Sequence, residues 1–368
     1  MTLKRINRIK SLLDKNGLEA LVLNAGPTLT YLTGLKFHKM ERPFALLIPR
    51  DAPTTLVLPE FELNKTSASI ISLDCFTYKE DPNSWLAAFE QACQHAKINN
   101  FRIGVESNHL RVLELQYLEH AAPEALFIPA DEILGDLRAQ KDEEELSTRR
   151  KAAEIAQEAM ENLLKDIQLG MSERNIAAEL VVQLLRAGSD AAIPFSPIVA
   201  CGSNSADPHA TPTDRTIELG DLLLIDWGAA HKGYVSDITR TFAIGDVDSE
   251  LLIISKIVAE ANAASRSSCR PGVTAAEIDR AARDIITAAG YGANFTHRTG
   301  HGLGMEGHEP PYIHGANKKA MQPGTTFTIE PGIYLPGRGG IRIEDDVVIT
   351  SDGVESLTNL PRDLTNII

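Results

Sequence analysis

The sequence contains few cysteines, and they are scattered. Cys75, Cys93, Cys201 and Cys269 form no CxxC pair and no cluster. This excludes a disulfide framework of the kind that stabilises small secreted domains. We therefore expect reduced, buried thiols in a cytoplasmic protein.

Long apolar runs and an excess of positive charge are also missing. No apolar segment approaches the ~18 residues that a membrane span requires. The opening residues 1–17 are interrupted by Asp14 and Lys15 and form an amphipathic helical pattern rather than a signal peptide. The 36 Lys and Arg against 50 Asp and Glu give a net charge of −14, which repels phosphate backbones and anionic lipid. Nucleic acid and membrane are thus excluded as partners, whereas acids gathered around a cation are not.

The length of 368 residues is enough for two domains at ~150 residues each, and a 43% hydrophobic content can fill two cores. In the first third, short apolar strands alternate with helical stretches. The predicted strands are Ala20–Leu23, Phe44–Ile48, Thr55–Leu58 and Arg102–Val105, and the predicted helices cover 81–98 and 110–118. This pattern predicts an α/β domain with a mixed or parallel sheet. We place it at residues 1–131, followed by a linker at 132–142 and a second domain at 143–368.

Helix signals mark the second domain. The segment 137–167 is rich in Ala, Glu, Lys and Leu and predicts one helix. Its acidic run 142–145 is predicted to form a solvated helical turn, favoured by the helix dipole. Ser172 is predicted to cap the next helix, and the capping box Thr274–Glu277 to open another.

An internal repeat is present in the second domain. Residues 220–228 and 324–332 share the pattern G-x5-[D/E]-x-G, an apolar strand that ends in a carboxylate and a glycine turn. Each is followed by a β-rich run with a further acid, Asp237 in the first case and Glu344 in the second. Chance similarity between hairpins is the alternative, since glycine turns are common. The number of matched features favours a duplication.

The acids of the repeat stand where strands are expected to be buried. Asp226 and Glu330 each end an apolar run, while Arg342 and Glu344 share one face of an alternating strand. Buried carboxylates are costly unless they are paired or bind metal. Taken singly, each acid could be a solvated strand end or half of an ion pair. Four acids in two similar settings, with histidines between them, favour a site for Mn, Co, Zn or Fe.

The histidines are His297, His301 and His308, in a glycine-rich segment. The segment contains a formal GxGxxG at 302–307, but a dinucleotide site needs a preceding strand and a following helix, and here two prolines follow. A zincin is excluded because Tyr312 occupies the second histidine position of HExxH. Three histidines at this spacing in such a loop favour a functional site.

These residues together resemble the creatinase, aminopeptidase P and prolidase family, over nearly the whole chain. The resemblance implies an α/β N-terminal domain and an α+β catalytic domain with the pita-bread fold, a curved, mainly antiparallel sheet with a pseudo-two-fold repeat. It also implies two divalent metal ions. Their ligands would be Asp226, Asp237, His301, Glu330 and Glu344.

The resemblance implies a role for each ligand. Asp226 and Glu344 would bridge the ions, Asp237 would chelate one, and His301 and Glu330 would hold the other. Water shared by two such ions can ionise near neutral pH, and Glu330 would accept its proton and return it to the leaving amine.

Further site residues follow from the same resemblance. His209 and His308 are expected to donate hydrogen bonds to the substrate carbonyl and its oxyanion. Arg342 is expected to orient a metal-binding carboxylate. His297 and Tyr334 are expected to support the ligands or contact the substrate.

The resemblance implies hydrolysis of an Xaa-Pro bond at a peptide's N-terminus, in a homodimer that uses Mn²⁺, with Co²⁺ or Zn²⁺ as alternatives. We favour a dipeptidase (prolidase) over aminopeptidase P because the N-terminal domain is short. An inactive homologue that serves as a binding module is disfavoured by the intact ligand set, and an oxidoreductase by the rejected glycine pattern. His38 could contribute to a neighbouring subunit's site, but we favour a solvated loop histidine.

Overall fold

The computed structural model describes residues 2–98 and 102–368. The chain divides into two compact units, the first ending at Arg138 and the second running from Ala139 to Ile368. The division falls within 132–142, the segment expected to be a linker. Most of that segment is helical. Within the described residues, no helix combines the length and the apolar character needed to cross a bilayer.

The first unit is built on a six-stranded sheet. Its strands are β1 (Ala20–Leu23), β2 (Ala45–Pro49), β3 (Thr55–Pro59), β4 (Asp74–Tyr78), β5 (Arg102–Val105) and β6 (Leu126–Pro129). Their order is β4-β3-β2-β1-β5-β6. The β1–β2 and β2–β3 pairs are antiparallel and the other pairs parallel, so the sheet is mixed, which is one of the two expected alternatives. The helices are α1 (Thr2–Lys15), α2 (Pro27–Thr33), α3 (Trp85–His95), α4 (Val112–Ala121) and α5 (Asp131–Ala139).

The second unit begins with a break in a predicted helix. Instead of one helix over 137–167, α5 ends at Ala139 and α6 (Glu143–Leu163) follows. The break occurs because the Lys141 N–H donates to the carbonyl of Gly324, 2.9 Å away, and Asp142 then caps α6 by accepting from the Glu145 N–H at 3.0 Å. The turn at 142–145 is also less solvated than predicted, since Glu145 is buried.

Three more helices complete the helical layer, α7 (Glu173–Arg186), α8 (Ser249–Ser268) and α9 (Ala275–Ala288). Ser172 caps α7 and the Thr274 capping box opens α9, as predicted. Helix α8 was not predicted. Its buried face includes the polar residues Ser255, Asn262 and Ser265, so it lacks a continuous apolar stripe.

The strands of the second unit are mainly antiparallel, as expected. They are β7 (Ile198–Cys201), β8 (Leu222–Trp227), β9 (Ala230–His231), β10 (Tyr234–Val235), β11 (Ile238–Ala243), β12 (Gly300–Gly302), β13 (Glu309–Ile313), β14 (Thr326–Ile329), β15 (Gly332–Leu335), β16 (Gly339–Arg342), β17 (Asp345–Ile349), β18 (Val354–Ser356) and β19 (Thr365–Asn366). One sheet has the order β19-β11-β8-β7 and another β13-β12-β14-β17-β18, while β9–β10 and β15–β16 form two-stranded ribbons.

The two larger sheets begin their central hairpins in the same way. Gly220 and Gly324 precede β8 and β14 with φ of 95° and 85°, a left-handed conformation that favours glycine. The Gly220 N–H donates to the Ile244 carbonyl at 2.7 Å, and the Gly324 N–H donates to the Ile349 carbonyl at 2.8 Å. The matched contacts support the duplication inferred from the repeat.

The second acids of the repeat, however, are not equivalent. Asp226 pairs with Thr239 across β8 and β11, and the β14–β17 register, extended by one pair, sets Glu330 opposite Glu344. Glu344 therefore corresponds to Thr239, and Asp237 stands two residues earlier. Thr239 and Glu344 themselves form an isolated bridge, so the two halves of the unit meet at this pair.

Candidate metal centre

Strand alternation places Asp226 and Glu330 on the faces opposite to the core residues that directly precede them. Leu223 and Ile225 of β8 belong to the core cluster under α6 and α7, so Asp226 between Ile225 and Trp227 projects from the other face. In β14, Ile329 belongs to another core cluster, and Glu330 follows it directly. The apolar residues thus pack each strand against a core cluster, and the carboxylate on the other face is available as a ligand.

The five predicted ligands lie together. Asp226 lies in β8, His301 in β12, Asp237 between β10 and β11, Glu330 after β14 and Glu344 between β16 and β17. All are buried except Glu330, whose side chain is 14% exposed. Segments far apart in sequence therefore converge on one point.

The donor atoms fall into groups whose members lie within 4.8 Å of one another. One group is Asp226, Asp237 and Glu344, and a second is His301, Glu330 and Glu344. Glu344 belongs to both, as a carboxylate shared by two neighbouring cations would. A third group joins Asp237 and His301 with His308, which the sequence placed outside the ligand set.

One oxygen of Asp226 tests whether the cluster suits a cation. Its Oδ2 accepts from Arg342 Nη2 at 2.6 Å, but its buried Oδ1 has no hydrogen-bond partner. A buried carboxylate oxygen rarely lacks a donor. A cation would satisfy this oxygen, so the donor set fits metal.

His301 has the tautomer that a metal ligand needs. Its Nδ1 lies 3.1 Å from the Gly302 carbonyl, which can only accept, so Nδ1 carries the proton. The lone pair of Nε2 then faces Asp237 Oδ2 at 3.6 Å and Glu330 Oε1 at 3.4 Å. Burial lowers the pKa of His301 well below its ordinary value, which keeps the imidazole neutral.

The acids lack enough positive charge from the protein. Burial raises the pKa of Glu330 to about 7; Arg342 opposes the rise and Asp226 adds to it. Burial and neighbouring carboxylates also raise the pKa of Asp237 and of Glu344 well above the ordinary values. Like charges at close range resist joint ionisation, and bound cations would remove that resistance.

A chain of hydrogen bonds leads from Asp226 through Arg342 and Tyr334 to His297. Arg342 Nη1 donates to the Tyr334 hydroxyl at 2.9 Å, and that hydroxyl lies 2.8 Å from His297 Nε2. His297 Nδ1 lies 2.7 Å from the Arg298 carbonyl. Because the carbonyl can only accept, Nδ1 carries the proton and Nε2 accepts from Tyr334. His297 is thus held between two partners, and burial lowers its pKa to about 4.

His209 and His308 line the cavity beside the acids, which has a volume of ≈ 770 Å³. Both are exposed, and the His308 ring centroid lies 3.9 Å from that of His301. The residue before His209 accepts from Arg342 Nη1 through its carbonyl at 3.2 Å. Both imidazoles therefore border the space where a substrate would meet the ligands.

A buried ion pair behind the site was not predicted. Arg149 and Asp346 are fully buried, with Nη2 and Oδ2 3.1 Å apart. Asp346 Oδ2 also accepts from the Asp237 N–H at 3.2 Å, and Arg149 Nη1 donates to the Leu303 carbonyl at 3.1 Å. The pair ties the Asp237 segment to the segment after His301. The acids within the apolar run of β17 were the visible signal, whereas Arg149 resembles a solvated helix residue.

A second such pair supports the histidine loop. Lys141 Nζ lies 2.7 Å from Glu309 Oε1, and both side chains are buried. Glu309 follows His308 directly, so the pair connects that histidine to the segment before α6. In the first unit, His38 is exposed, as expected for a solvated loop histidine.

Comparison with known proteins gives matches over almost the whole chain. Residues 148–351 match the model for metallopeptidase family M24, and 5–140 match the creatinase/prolidase N-terminal domain. A putative dipeptidase, YkvY of Bacillus subtilis (strain 168), is 35% identical over 98% of this chain and 99% of its own. The Xaa-Pro dipeptidase of Lactobacillus delbrueckii subsp. lactis is 34% identical, with 98% of each chain covered.

Solved structures agree with these matches. The prolidase of Thermococcus sibiricus superposes with a TM-score of 0.94 at 32% identity, covering 100% of this chain and 99% of that one. The X-Pro aminopeptidase of Thermotoga maritima MSB8 gives a TM-score of 0.84 at 31% identity, with 98% and 99% covered. Both types of proline-directed peptidase thus share the fold described above.

Proposed function

The chain belongs to metallopeptidase family M24, and from that premise we propose that it is an Xaa-Pro dipeptidase that works with two divalent cations. The observation that carries the proposal is the pair of donor groups that share Glu344 at the wall of the cavity. Relatives at 34% and 36% identity are named Xaa-Pro dipeptidase, which supports the substrate class.

Asp226, Asp237 and Glu344 would hold one cation, and His301, Glu330 and Glu344 the other. Asp226, which the resemblance placed as a second bridging ligand, belongs to only one of these two donor groups. Bound there, the cations would supply the positive charge that polarises a carbonyl and lowers the pKa of water. We propose Mn²⁺ as the native ion, with Co²⁺ or Zn²⁺ as alternatives, because an oxygen-rich donor set with one imidazole suits these metals.

Glu330 is the proposed proton carrier. Its Oε1 faces His301 Nε2 at 3.4 Å, whereas its Oε2 lies 3.8 Å from His297. One oxygen can therefore serve a cation while the other takes the proton of the attacking water. The same oxygen would return that proton to the departing proline nitrogen.

His308 and His209 are proposed to donate hydrogen bonds to the scissile carbonyl, since their imidazoles line the cavity. An Xaa-Pro bond has no N–H, so substrate cannot dock as an added strand. The cavity instead offers an apolar wall that includes Pro194, Phe195 and Ile198. This wall suits a pyrrolidine ring.

The alternative is an Xaa-Pro aminopeptidase acting on longer peptides. The similarity to the Thermotoga maritima X-Pro aminopeptidase, at a TM-score of 0.84, supports this alternative. An inactive binding homologue is disfavoured because all five donor residues are present and adjoin.

The proposal is tested by measuring proline release with protein that has been stripped of metal and reloaded with Mn²⁺. We expect kcat/KM for an Xaa-Pro dipeptide to exceed that for the matching Xaa-Pro-Yaa tripeptide, and Xaa-Ala to be a poor substrate. Stripped protein without added metal is the control. Faster cleavage of the tripeptide would establish the aminopeptidase instead, and no cleavage by protein with two bound ions would reject both.

We further propose that the enzyme is cytoplasmic and homodimeric. The four cysteines are free thiols, which supports a reducing compartment. Dimerisation rests on the family resemblance, and sedimentation of the metal-loaded protein would test it.

A further inference from the structure

The backbone of Asp237 is fixed by a side chain from another part of the unit. Asp237 stands outside the regular strands, between β10 and β11, and its N–H donates to Asp346 Oδ2 at 3.2 Å. The N–H groups of Glu330 and Glu344, in contrast, donate to main-chain carbonyls. The position of Asp237 therefore depends on a carboxylate that belongs to β17.

Asp346 is itself held by its strand and by a cation. It pairs with Thr328 across β14 and β17, and its carbonyl accepts from the Leu357 N–H at 2.8 Å. Its carboxylate lies 3.1 Å from Arg149 Nη2, and both side chains are fully buried. Among the described residues, no other carboxylate pairs with Arg149. An acceptor held in this way can orient the ligand that donates to it.

Arg149 extends the same contact to the segment after His301. Its Nη1 donates to the Leu303 carbonyl at 3.1 Å. Leu303 and Val235, which stands two residues before Asp237, belong to one buried apolar cluster. The ion pair thus fixes the segment that carries Asp237 against the segment that carries His301.

Stability alone does not require an ion pair at this position. Arg149 lies on the buried face of α6 with Leu146 and Ala153, which pack against Val348 of β17. Apolar residues of similar volume often replace a buried ion pair without loss of stability. An apolar side chain could not, however, accept the N–H of a metal-binding residue. This contact gives the pair a role beyond packing.

We propose that Asp346 and Arg149 are positioning residues for one of the two cations. They would fix Asp237 where its carboxylate binds the ion that it shares with Asp226 and Glu344. This deepens the proposed function and rests on its two-cation centre. A ligand fixed in advance loses less entropy when the ion binds, so the pair should raise the affinity for that ion.

The other donor group should bind its ion without help from the pair. The His301 N–H donates to Thr328 Oγ1 at 3.1 Å, and the Glu330 N–H donates to the Thr299 carbonyl at 2.8 Å. Neither hydrogen bond involves Arg149 or the carboxylate of Asp346. Loss of the pair should therefore weaken one ion and spare the other.

The test compares two double variants that both lack the ion pair. Asp346→Asn/Arg149→Met keeps an amide oxygen that can accept from the Asp237 N–H, whereas Asp346→Leu/Arg149→Met has a side chain of similar shape without an acceptor. Metal-free protein is titrated with Mn²⁺ and followed by electron paramagnetic resonance. Two neighbouring Mn²⁺ ions are magnetically coupled, whereas a single bound ion gives the signal of an isolated ion.

We expect Asp346→Asn/Arg149→Met to bind both ions with nearly wild-type affinity. Asp346→Leu/Arg149→Met should bind one ion about 10–100-fold more weakly. The ion that it retains should show coupling to the imidazole nitrogen of His301 in pulsed experiments. Because the defect is one of affinity, excess Mn²⁺ should restore most of kcat.

Arg150→Met is the matched control. Arg150 follows Arg149 on α6 but is partly exposed and pairs with Glu355 at 2.8 Å, so both ion affinities should stay unchanged. Asp345→Asn controls for stability, because it should lower the melting temperature and keep both ions. Melting temperatures of the metal-free variants identify any that fail to fold, and Asp346→Ala/Arg149→Met then replaces the leucine variant.

Three outcomes would overturn the assignment. Unchanged ion binding in Asp346→Leu/Arg149→Met would mean that Asp237 is positioned without the pair. Equal weakening in the two double variants would mean that the charge of the pair matters and the hydrogen bond does not. A retained ion without nitrogen coupling would mean that the pair supports the other donor group. Wild-type protein that binds fewer than two ions would instead reject the proposed metal centre.

Discussion

Two sites with buried acids lie side by side in the second unit, and they differ in how their negative charge is balanced. One is the arginine-rich group around Asp345. The other is the charge-deficient group of metal-binding candidates, here called the donor cluster, which consists of Asp226, Asp237, His301, Glu330 and Glu344. Asp345 is fully buried, but Arg240 and Arg362 each lie 2.8 Å from it, and Arg266 lies 3.7 Å away. Although burial alone would raise the pKa of Asp345, Arg240 and Arg362 lower it to about 2. The preceding residue, Glu344, faces other acids, and its pKa is raised.

The contrast between these neighbours shows how the fold distributes charge. At Asp345 the chain supplies its own cations, and the carboxylate is a permanent structural anion. At the donor cluster the chain supplies Arg342 against four acids. The deficit is therefore local to the donor cluster, as expected where positive charge arrives with a ligand.

The largest effect should come from Asp237→Asn in the charge-deficient group. An amide is a weaker ligand than a carboxylate, and the substitution removes a negative charge. Loss of a residue that only supports a ligand typically lowers metal affinity or activity about 10–100-fold, so loss of a ligand should cost more. We expect activity to fall by roughly 1,000-fold or more and the ion content to drop. Asp246→Asn, at an exposed position, is the control. Full activity with two bound ions would remove Asp237 from the site.

His308→Ala tests whether His308 binds metal or contacts only the substrate. We expect kcat to fall about 10²–10³-fold, the usual cost of losing an oxyanion donor, while both ions remain bound. Metal analysis of the purified variant is the measurement. Since His308 also forms a donor group with Asp237 and His301, a parallel loss of metal would make it a ligand.

Asp345→Asn tests the arginine-rich group. Removing one partner leaves buried guanidinium charge unpaired, which typically costs about 3–5 kcal/mol. We expect the free energy of unfolding, measured in urea, to fall by that amount. The number of bound metal ions should be unchanged at urea concentrations below the unfolding transition. Asp284→Asn, on the exposed side of α9, should change little. Lost metal with unchanged stability would show that Asp345 serves the donor cluster instead.

Metal removal should add a pH dependence of stability that comes from the carboxyls of the donor cluster. Carboxyls with a raised folded-state pKa hold protons that the unfolded chain has released, so stability falls as pH rises toward the folded pKa. For Glu330 that pKa is about 7, and for Asp237 and Glu344 burial and neighbouring carboxylates raise it well above the ordinary value. Histidines contribute little above pH 7, because they are mostly neutral in both states.

Between pH 7.0 and 8.5 we therefore expect metal-free protein to lose about 0.4 kcal/mol of unfolding free energy through Glu330 alone, and more through Asp237 and Glu344, whereas metal-loaded protein should lose less. Denaturant titration at the two pH values, with and without chelator, measures the difference. Asp345, with a pKa of about 2, adds no slope in this range. An equal slope with and without metal would mean that the acids do not share one cation site.

Local signals predicted much of the fold. The Ser172 cap and the Thr274 capping box depend on neighbours within one turn and were confirmed. The break before α6 could not be predicted, because it depends on the hydrogen bond from Lys141 to Gly324. Helix α8 was missed because its buried face contains polar residues such as Asn262, which interrupt the apolar pattern. The Asn262 amide is buried because it donates to the carbonyls of Ile329 and Ile343, close to the site.

The candidate site was predictable to the extent that its residues form motifs. The structure brings the five predicted donors together and places His209 and His308 at the same cavity. Their roles stay predictions. The buried pair of Arg149 and Asp346 joins segments distant in sequence. The apolar run of β17 indicates that the acid is buried, but nothing in the sequence identifies Arg149 as its partner.

The bridge between Thr239 and Glu344 bears on when the donor cluster can form during folding. The Glu344 N–H donates to the Thr239 carbonyl at 3.1 Å, and Thr239 Oγ1 donates to Glu344 Oε2 at 2.7 Å. Contacts between residues so distant in sequence carry a large loop-closure entropy, so the bridge requires most of the second unit to be ordered. Metal that needs this geometry would bind the folded arrangement and not the unfolded chain, and would therefore slow unfolding.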